Sequence, residues 1–146
     1  MGRRTIEELL SEARARLERL EPEEALAAQR SGALVIDTRS HDERERHGVI
    51  PGSLHIPRSV LEWRLDPDTD PEVRNANVSG LDDWIVLICE HGLSTSLAAA
   101  TLQDLGFTRA TDVVGGFAAW QERGLPVQRA RPVADDAVPG IGNPDA

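Results

Sequence analysis

A chain of 146 residues with 40% hydrophobic content is long enough for one domain with a core of its own, and it has no apolar run long enough to span a membrane. Its formal charge of −9 disfavours nucleic acid and anionic membrane surfaces as partners, since both are polyanions, and three Trp, two Phe and no Tyr leave few groups to stack on single strands. One cysteine cannot close an intrachain disulfide, and Met1-Gly2-Arg3-Arg4 leads into charged amphipathic sequence with no secretory apolar region, so a cytoplasmic location is expected.

Residues 5–20 place Ile6, Leu9, Leu10, Ala13, Leu17 and Leu20 on one helical stripe, with Glu7, Glu8, Arg14, Glu18 and Arg19 elsewhere. The expectation is an N-terminal amphipathic helix over 1–21 that packs within the molecule and serves stability, not chemistry. Glu21-Pro22 breaks the chain and starts a second helix: Pro22 suits its first position, Glu23 and Glu24 suit its positive end, and Ser31-Gly32 closes it. The first strand, Leu34-Val35-Ile36, ends in Asp37-Thr38-Arg39. Ligands of open α/β sheets bind outside the carboxyl ends of the strands, so Asp37 and Arg39 are candidates for substrate contact. Asp37 capping the turn and pairing with Arg39 is an equally good reading.

A charged turn over 41–47 precedes Gly48-Val49-Ile50-Pro51-Gly52-Ser53, whose glycine and proline punctuation marks a tight loop. Leu54-His55-Ile56-Pro57 is a short strand and residues 60–65 a short helix. The polar excursion over 66–79 is the segment expected to move most.

Five apolar residues, Trp84-Ile85-Val86-Leu87-Ile88, run into Cys89 and then Glu90-His91-Gly92-Leu93-Ser94-Thr95-Ser96, ahead of an alanine-rich helical pattern. This reads as a buried parallel strand feeding a loop and a helix N-terminus. Unpaired N–H groups there, at the positive end of the helix dipole, stabilise a thiolate or a bound anion. A cysteine ending a strand is also a common inert core residue. Gly92 favours the reactive reading, because it lets the backbone turn around the sulfur, and Ser94, Thr95 and Ser96 offer helix caps. The following helix is expected to bury Leu97, Ala98, Thr101, Leu102 and Leu105, with Gly106 as its left-handed cap. A last strand over 110–114, a Gly115-Gly116 turn and a short helix around Phe117 and Trp120 complete the pattern. Trp63 and Trp120 read as packing residues. Residues 130–146, without periodicity, read as a disordered tail. Alternation of strands and helices implies crossovers and a parallel sheet covered on both faces. His41, His47, His55 and His91 make no i,i+4 pair and there is no Cys-x-x-Cys, so no metal site is expected, and these histidines read as scattered surface residues.

Several motifs in order resemble the rhodanese-like (sulfurtransferase) domain family over roughly residues 22–127: Val35-Ile36-Asp37-Thr38-Arg39, Gly48-Val49-Ile50-Pro51-Gly52-Ser53, the loop from Cys89 to Ser94, and Val114-Gly115-Gly116-Phe117 with Trp120 and Gly124-Leu125-Pro126-Val127. The resemblance implies a domain over 22–129 with an α/β three-layer fold, a central five-stranded parallel sheet and helices on both faces. It also implies a cysteine that accepts sulfane sulfur as a persulfide and passes it to a thiophilic acceptor, without cofactor. Cys89 would be the nucleophile, and backbone amides of Glu90, His91, Gly92, Leu93, Ser94 and Thr95 would hold the persulfide charge. The implied partners are a small-molecule sulfur donor and a thiol or cyanide-like acceptor, with the protein a monomer or weak homodimer. Members acting on thiosulfate usually carry an arginine five residues after the cysteine, where this chain has Ser94. Related cell-cycle phosphatases need one six residues after, where it has Thr95. A hydroxyl cannot supply a guanidinium's paired charge-assisted hydrogen bonds, and Glu90 adds negative charge. The donor thus stays open between a thiosulfate-like anion and a persulfide. Arg58 and Arg64 are candidates to supply the missing charge, with His91 contributing when protonated; both arginines could instead be solvated surface residues. A non-catalytic binding or regulatory module of the same fold is the alternative function.

Overall fold

The computed structural model describes residues 2–130, and the tail expected over 130–146 lies, beyond Ala130, outside the described residues. Helix α1 (Ile6–Ala15) opens at Thr5, whose hydroxyl accepts from the Glu8 N–H at 3.1 Å. It stops earlier than the apolar stripe implies. Pro22 forces extended backbone on Glu21, and Leu20 has already joined the sheet as a parallel bridge to Val113. Leu10, Ala13 and Leu17 are buried, whereas Ile6 and Leu9, on the same stripe, are exposed.

Helix α2 (Pro22–Arg30) carries a reciprocal Glu21/Glu24 capping box and leads into β1 (Leu34–Asp37). The segment read as a charged turn is helix α3 (His41–His47), closed by a second capping box between Ser40 and Glu43. With no apolar stripe it has no periodic signal, but Ser-x-x-Glu was there to be read. Then come β2 (Leu54–His55), a 3₁₀ turn (Arg58–Val60) running into α4 (Leu61–Leu65), β3 (Ile85–Ile88), α5 (Ser94–Asp104), β4 (Thr111–Asp112) and α6 (Gly116–Glu122). The polar excursion is tied back where the Asn75 N–H meets the Arg64 carbonyl at 2.8 Å and Val78 is buried.

The sheet is parallel, in the order β2-β1-β3-β4. Among the described residues four strands stand where five were expected, with the Leu20 bridge beside β4 at the fifth position. Alternation along the strands divides the core in two. Ile36, Ile85 and Leu87 face one layer with Leu61 and Leu65 of α4, Ala98, Ala99 and Leu102 of α5, and Leu17. Val35, Val86 and Ile88 face the other with Ala25 and Ala28 of α2 and Phe117 and Trp120 of α6. Apolar residues on both faces are what a covered parallel sheet demands.

Helix α5 differs from its expected burial. Thr95, Ser96, Ala99 and Ala100 are buried with Ala98 and Leu102, while Leu97, Thr101 and Leu105 are only half-buried, because α1 covers one side as the sheet covers the other. Trp63, read as a packing residue, is 56% exposed. Trp120 is fully buried and its indole N–H donates to the Pro126 carbonyl at 2.9 Å. Trp120→Ala should therefore cost about 3–5 kcal/mol, the usual range for emptying a buried aromatic site, measured as a lowered denaturant midpoint.

Candidate active site

Because β1 and β3 run parallel and in register, Asp37 opposite Ile88, their carboxyl ends bring Asp37, Thr38 and Arg39 beside Cys89. Cys89 is 8% exposed, at the floor of an open cleft of about 240 Å³ lined by Thr38, Arg39, Glu43, Glu90, His91, Leu93 and Ser94. A larger cavity of about 330 Å³, bordered by Trp84 and Ala110, sits at the opposite, amino ends of β3 and β4, away from Cys89.

The loop after Cys89 has its oxygens bound from outside. The Cys89 carbonyl accepts from the Phe117 N–H at 2.8 Å and the Glu90 carbonyl from the Ala118 N–H at 2.9 Å, both at the start of α6. The Gly92 carbonyl accepts from Arg14 at 2.9 Å and Arg19 at 3.1 Å. A trans peptide points its N–H opposite to its C=O. Those three contacts therefore turn the N–H groups of Glu90, His91 and Leu93 the other way, and the N–H groups of residues 90–95 meet no protein acceptor among the described residues. A run of free amides is the chemistry that anion-binding nests use.

Glycines make the close approach possible. Gly92 has φ +77°, and the Gly115-Gly116 turn has φ +75° and +63°, conformations costly for any residue with a Cβ. A Cβ on Gly116 would lie 2.4 Å from the Cys89 oxygen and 2.6 Å from the Gly92 nitrogen.

Behind the sulfur lies a buried polar cluster. Cys89 Sγ is 3.3 Å from Thr95 Oγ1, which donates to Asp112 Oδ2 at 2.9 Å; Ser96 Oγ donates to the same oxygen at 2.8 Å. Asp112 has no exposed surface, and Arg19 pairs with both its oxygens at 2.8 and 3.2 Å. Thr95, expected for its amide, thus also presents its hydroxyl to the sulfur. Asp112 could have been noticed as a second aspartate ending a strand, like Asp37. Nothing in the sequence marked Arg14 and Arg19, which look like ordinary polar-face residues of an amphipathic segment.

Asp37 and Arg39 reach the expected edge but are occupied there. Arg39 binds Asp37 through Nε and Nη2 at 3.0 and 2.9 Å, Glu90 at 3.1 Å and the Gly48 carbonyl at 2.7 Å, and its guanidinium lies 3.9 Å from the Phe117 ring centre. Burial works against its charge, but hydrogen bonds and attraction from Asp37 and Glu90 more than offset this, so its pKa is raised. Glu90, feared as a repulsive neighbour, is compensated by Arg39, and its carboxylate also lies 3.2 Å from His47 Nδ1. One of the histidines is not a surface group: His55 is buried, its Nε2 lies 2.8 Å from the Arg39 carbonyl, and its ring meets His41 edge-on.

Arg58 and Arg64 do not line the cleft. The Arg58 N–H reaches the Thr38 carbonyl at 3.3 Å, but its guanidinium is held by Glu62 at 2.9 and 3.0 Å. Arg64 is 2% exposed with no hydrogen-bond partner for Nε, and burial pushes its pKa down. His91, Leu93 and Ser94 are exposed at the rim.

The Rhodanese-like domain family model matches residues 21–123. The thiosulfate sulfurtransferase GlpE of Pseudomonas entomophila is 35% identical over 104 residues, 70% of this chain and 84% of that protein. A human thiosulfate:glutathione sulfurtransferase is 32% identical over 94 residues, 62% of this chain and 81% of that one. Among solved structures, a Rhodopseudomonas palustris protein of unknown function, described as a possible tyrosine phosphatase, superposes with TM-score 0.74 at 34% identity, covering 88% of this chain and 97% of its own.

Gly116→Ala combines a left-handed φ with a backbone clash and should cost about 2–4 kcal/mol. Thermal unfolding will show the loss, and alkylation of Cys89 should change with it, because the displaced atoms belong to the loop.

Proposed function

This chain belongs to the rhodanese-like domain family, and we propose that it is a sulfurtransferase that carries sulfane sulfur as a persulfide on Cys89. The observation that carries this reading is the loop of outward-bound carbonyls and free amides around a single cysteine at a cleft floor. The names of the curated relatives support the chemistry.

With thiosulfate, the Cys89 thiolate attacks the outer sulfur. The new Cys–S–S bond forms as the S–S bond of thiosulfate breaks, and its electron pair leaves on sulfite. A thiolate or cyanide then attacks the terminal sulfur, returning the electron pair to Cys89. The first half-reaction leaves negative charge on the terminal sulfur and the second returns it to Cys89 Sγ, both within reach of the loop amides, whose dipoles are already oriented. The open cleft lets sulfite leave and an acceptor enter. Ser94 and His91 meet the donor at the rim; Arg58, bound to Glu62, and Arg64, away from the cleft, do not.

A phosphatase reading has the Rhodopseudomonas palustris likeness in its favour. A phosphate dianion needs a bidentate cation in the loop, and residues 90–95 offer none. Incubation with thiosulfate, a thiosulfonate or glutathione persulfide should add one cyanide-labile sulfur by intact mass, and Cys89→Ser should take up none. Failure of every donor, or turnover of a phosphate ester, would favour the binding-module or phosphatase readings. Ser94→Arg should raise kcat/KM for thiosulfate by about tenfold to a hundredfold, the equivalent of one charge-assisted contact, and change turnover of an uncharged donor much less.

A further inference from the structure

The segment before Pro22, expected to pack and nothing more, delivers two guanidinium groups to the loop. Arg14 sits on α1 and Arg19 in the stretch joining α1 to the Leu20 bridge, both outside the family match. Their contacts converge on one peptide oxygen, that of Gly92. Arg14 Nε also donates to Ser96 Oγ at 3.1 Å, and Arg19 pairs with Asp112, which orients the Thr95 hydroxyl beside the sulfur. Leu10, Ala13 and Leu17 are buried where this segment packs on the domain, so it has an apolar face of its own beside these polar contacts.

Charge gives the cluster a direction. Arg19 and Asp112 offset each other, whereas Arg14 has no carboxylate partner among the described residues. One uncompensated, half-buried cation therefore stands directly behind the Gly92–Leu93 peptide. A cation on a carbonyl oxygen polarises the peptide and makes its N–H a better donor. The loop lacks a cation at Ser94, on the substrate side, and has one on the opposite side, acting through the backbone.

We propose that Arg14 and Arg19 are positioning residues for the chemistry at Cys89: they clamp the Gly92 carbonyl outward so that the Leu93 N–H faces the sulfur. This rests on the sulfur-carrier reading, and the experiment separates the two.

Full-length Arg14→Met, Arg14→Lys and Arg19→Lys are compared with the unsubstituted chain in single-turnover sulfur loading by thiosulfate and by an uncharged donor, in ¹⁵N backbone order parameters over 90–95, and in melting temperature. Arg14→Met should slow loading by about tenfold with both donors, the loss of a charged hydrogen bond, and lower the order parameters at residues 91–94 while leaving the C-terminal turns of α5 unchanged. Arg14→Lys, which keeps a donor for Gly92, should recover most of the rate. If Arg14→Met does not fold, Arg19→Lys carries the test: it keeps the charge on Asp112, loses the fork, and should load several-fold more slowly. A lowered melting temperature with loading per folded molecule and loop order parameters unchanged would overturn the proposal. If the unsubstituted chain takes up no sulfur, the sulfur-carrier reading fails, and the order parameters over 91–94 alone decide the clamp: lower values in the arginine variant that folds sustain it and unchanged values remove it.

Discussion

A peptide unit cannot turn its oxygen one way without turning its N–H the other, and the site at Cys89 depends on that constraint. Three carbonyls of the loop are bound from outside, two by the opening amides of α6 and one by the arginines of the N-terminal segment. The remaining architecture makes those contacts possible. The parallel sheet ends β3 at Cys89, the double-glycine turn lets α6 press its first N–H groups against the loop, and the early end of α1 frees Arg19 to reach Asp112. In the proposed reading, anion binding is a property of backbone direction.

Charge is concentrated behind and beside the loop. On one flank Arg39 ties Asp37, Glu90 and the Gly48 carbonyl together beneath the Phe117 ring, joining the ends of β1 and β3 to α6. On the other, Asp112 gathers Arg19, Thr95 and Ser96. Each hub is an ion pair around a buried aspartate whose two oxygens are both hydrogen-bonded, the condition under which burying charge is tolerated. Removing Arg19 leaves Asp112 uncompensated in the interior, whereas Asp37 would keep Arg44, 3.2 Å away. The loop is therefore held rigidly on both sides while its mouth stays open.

The sequence was legible wherever local rules act alone. Hydrophobic runs located the strands, Pro22 and Gly106 marked helix ends, and the strand–cysteine–loop–helix order located the candidate nucleophile. Helix α3 was missed because its register is set by a capping box, with no apolar stripe to reveal it. The fifth strand was overcounted because Leu20 contributes a single bridge. Residues brought from far along the chain were invisible: Arg14 and Arg19 lie more than seventy positions from the atoms they bind. Periodicity says which face of a helix is polar, but not which loop a polar residue will reach. Arg58 drew attention by its charge, and its i,i+4 spacing to Glu62 was the available sign that this charge is already paired.

The proposed reading makes the loop amides the receptor for a sulfur-borne charge, and amide proton resonances of ¹⁵N-labelled protein report that directly. Spectra recorded before and after one sulfur is loaded should show downfield movement concentrated at Glu90, His91 and Leu93, with Thr95 responding through its hydroxyl and the amino ends of β3 and β4 unmoved. A loaded protein in which those amides stay in place, or in which the changes centre on another part of the fold, would contradict a persulfide held by this loop.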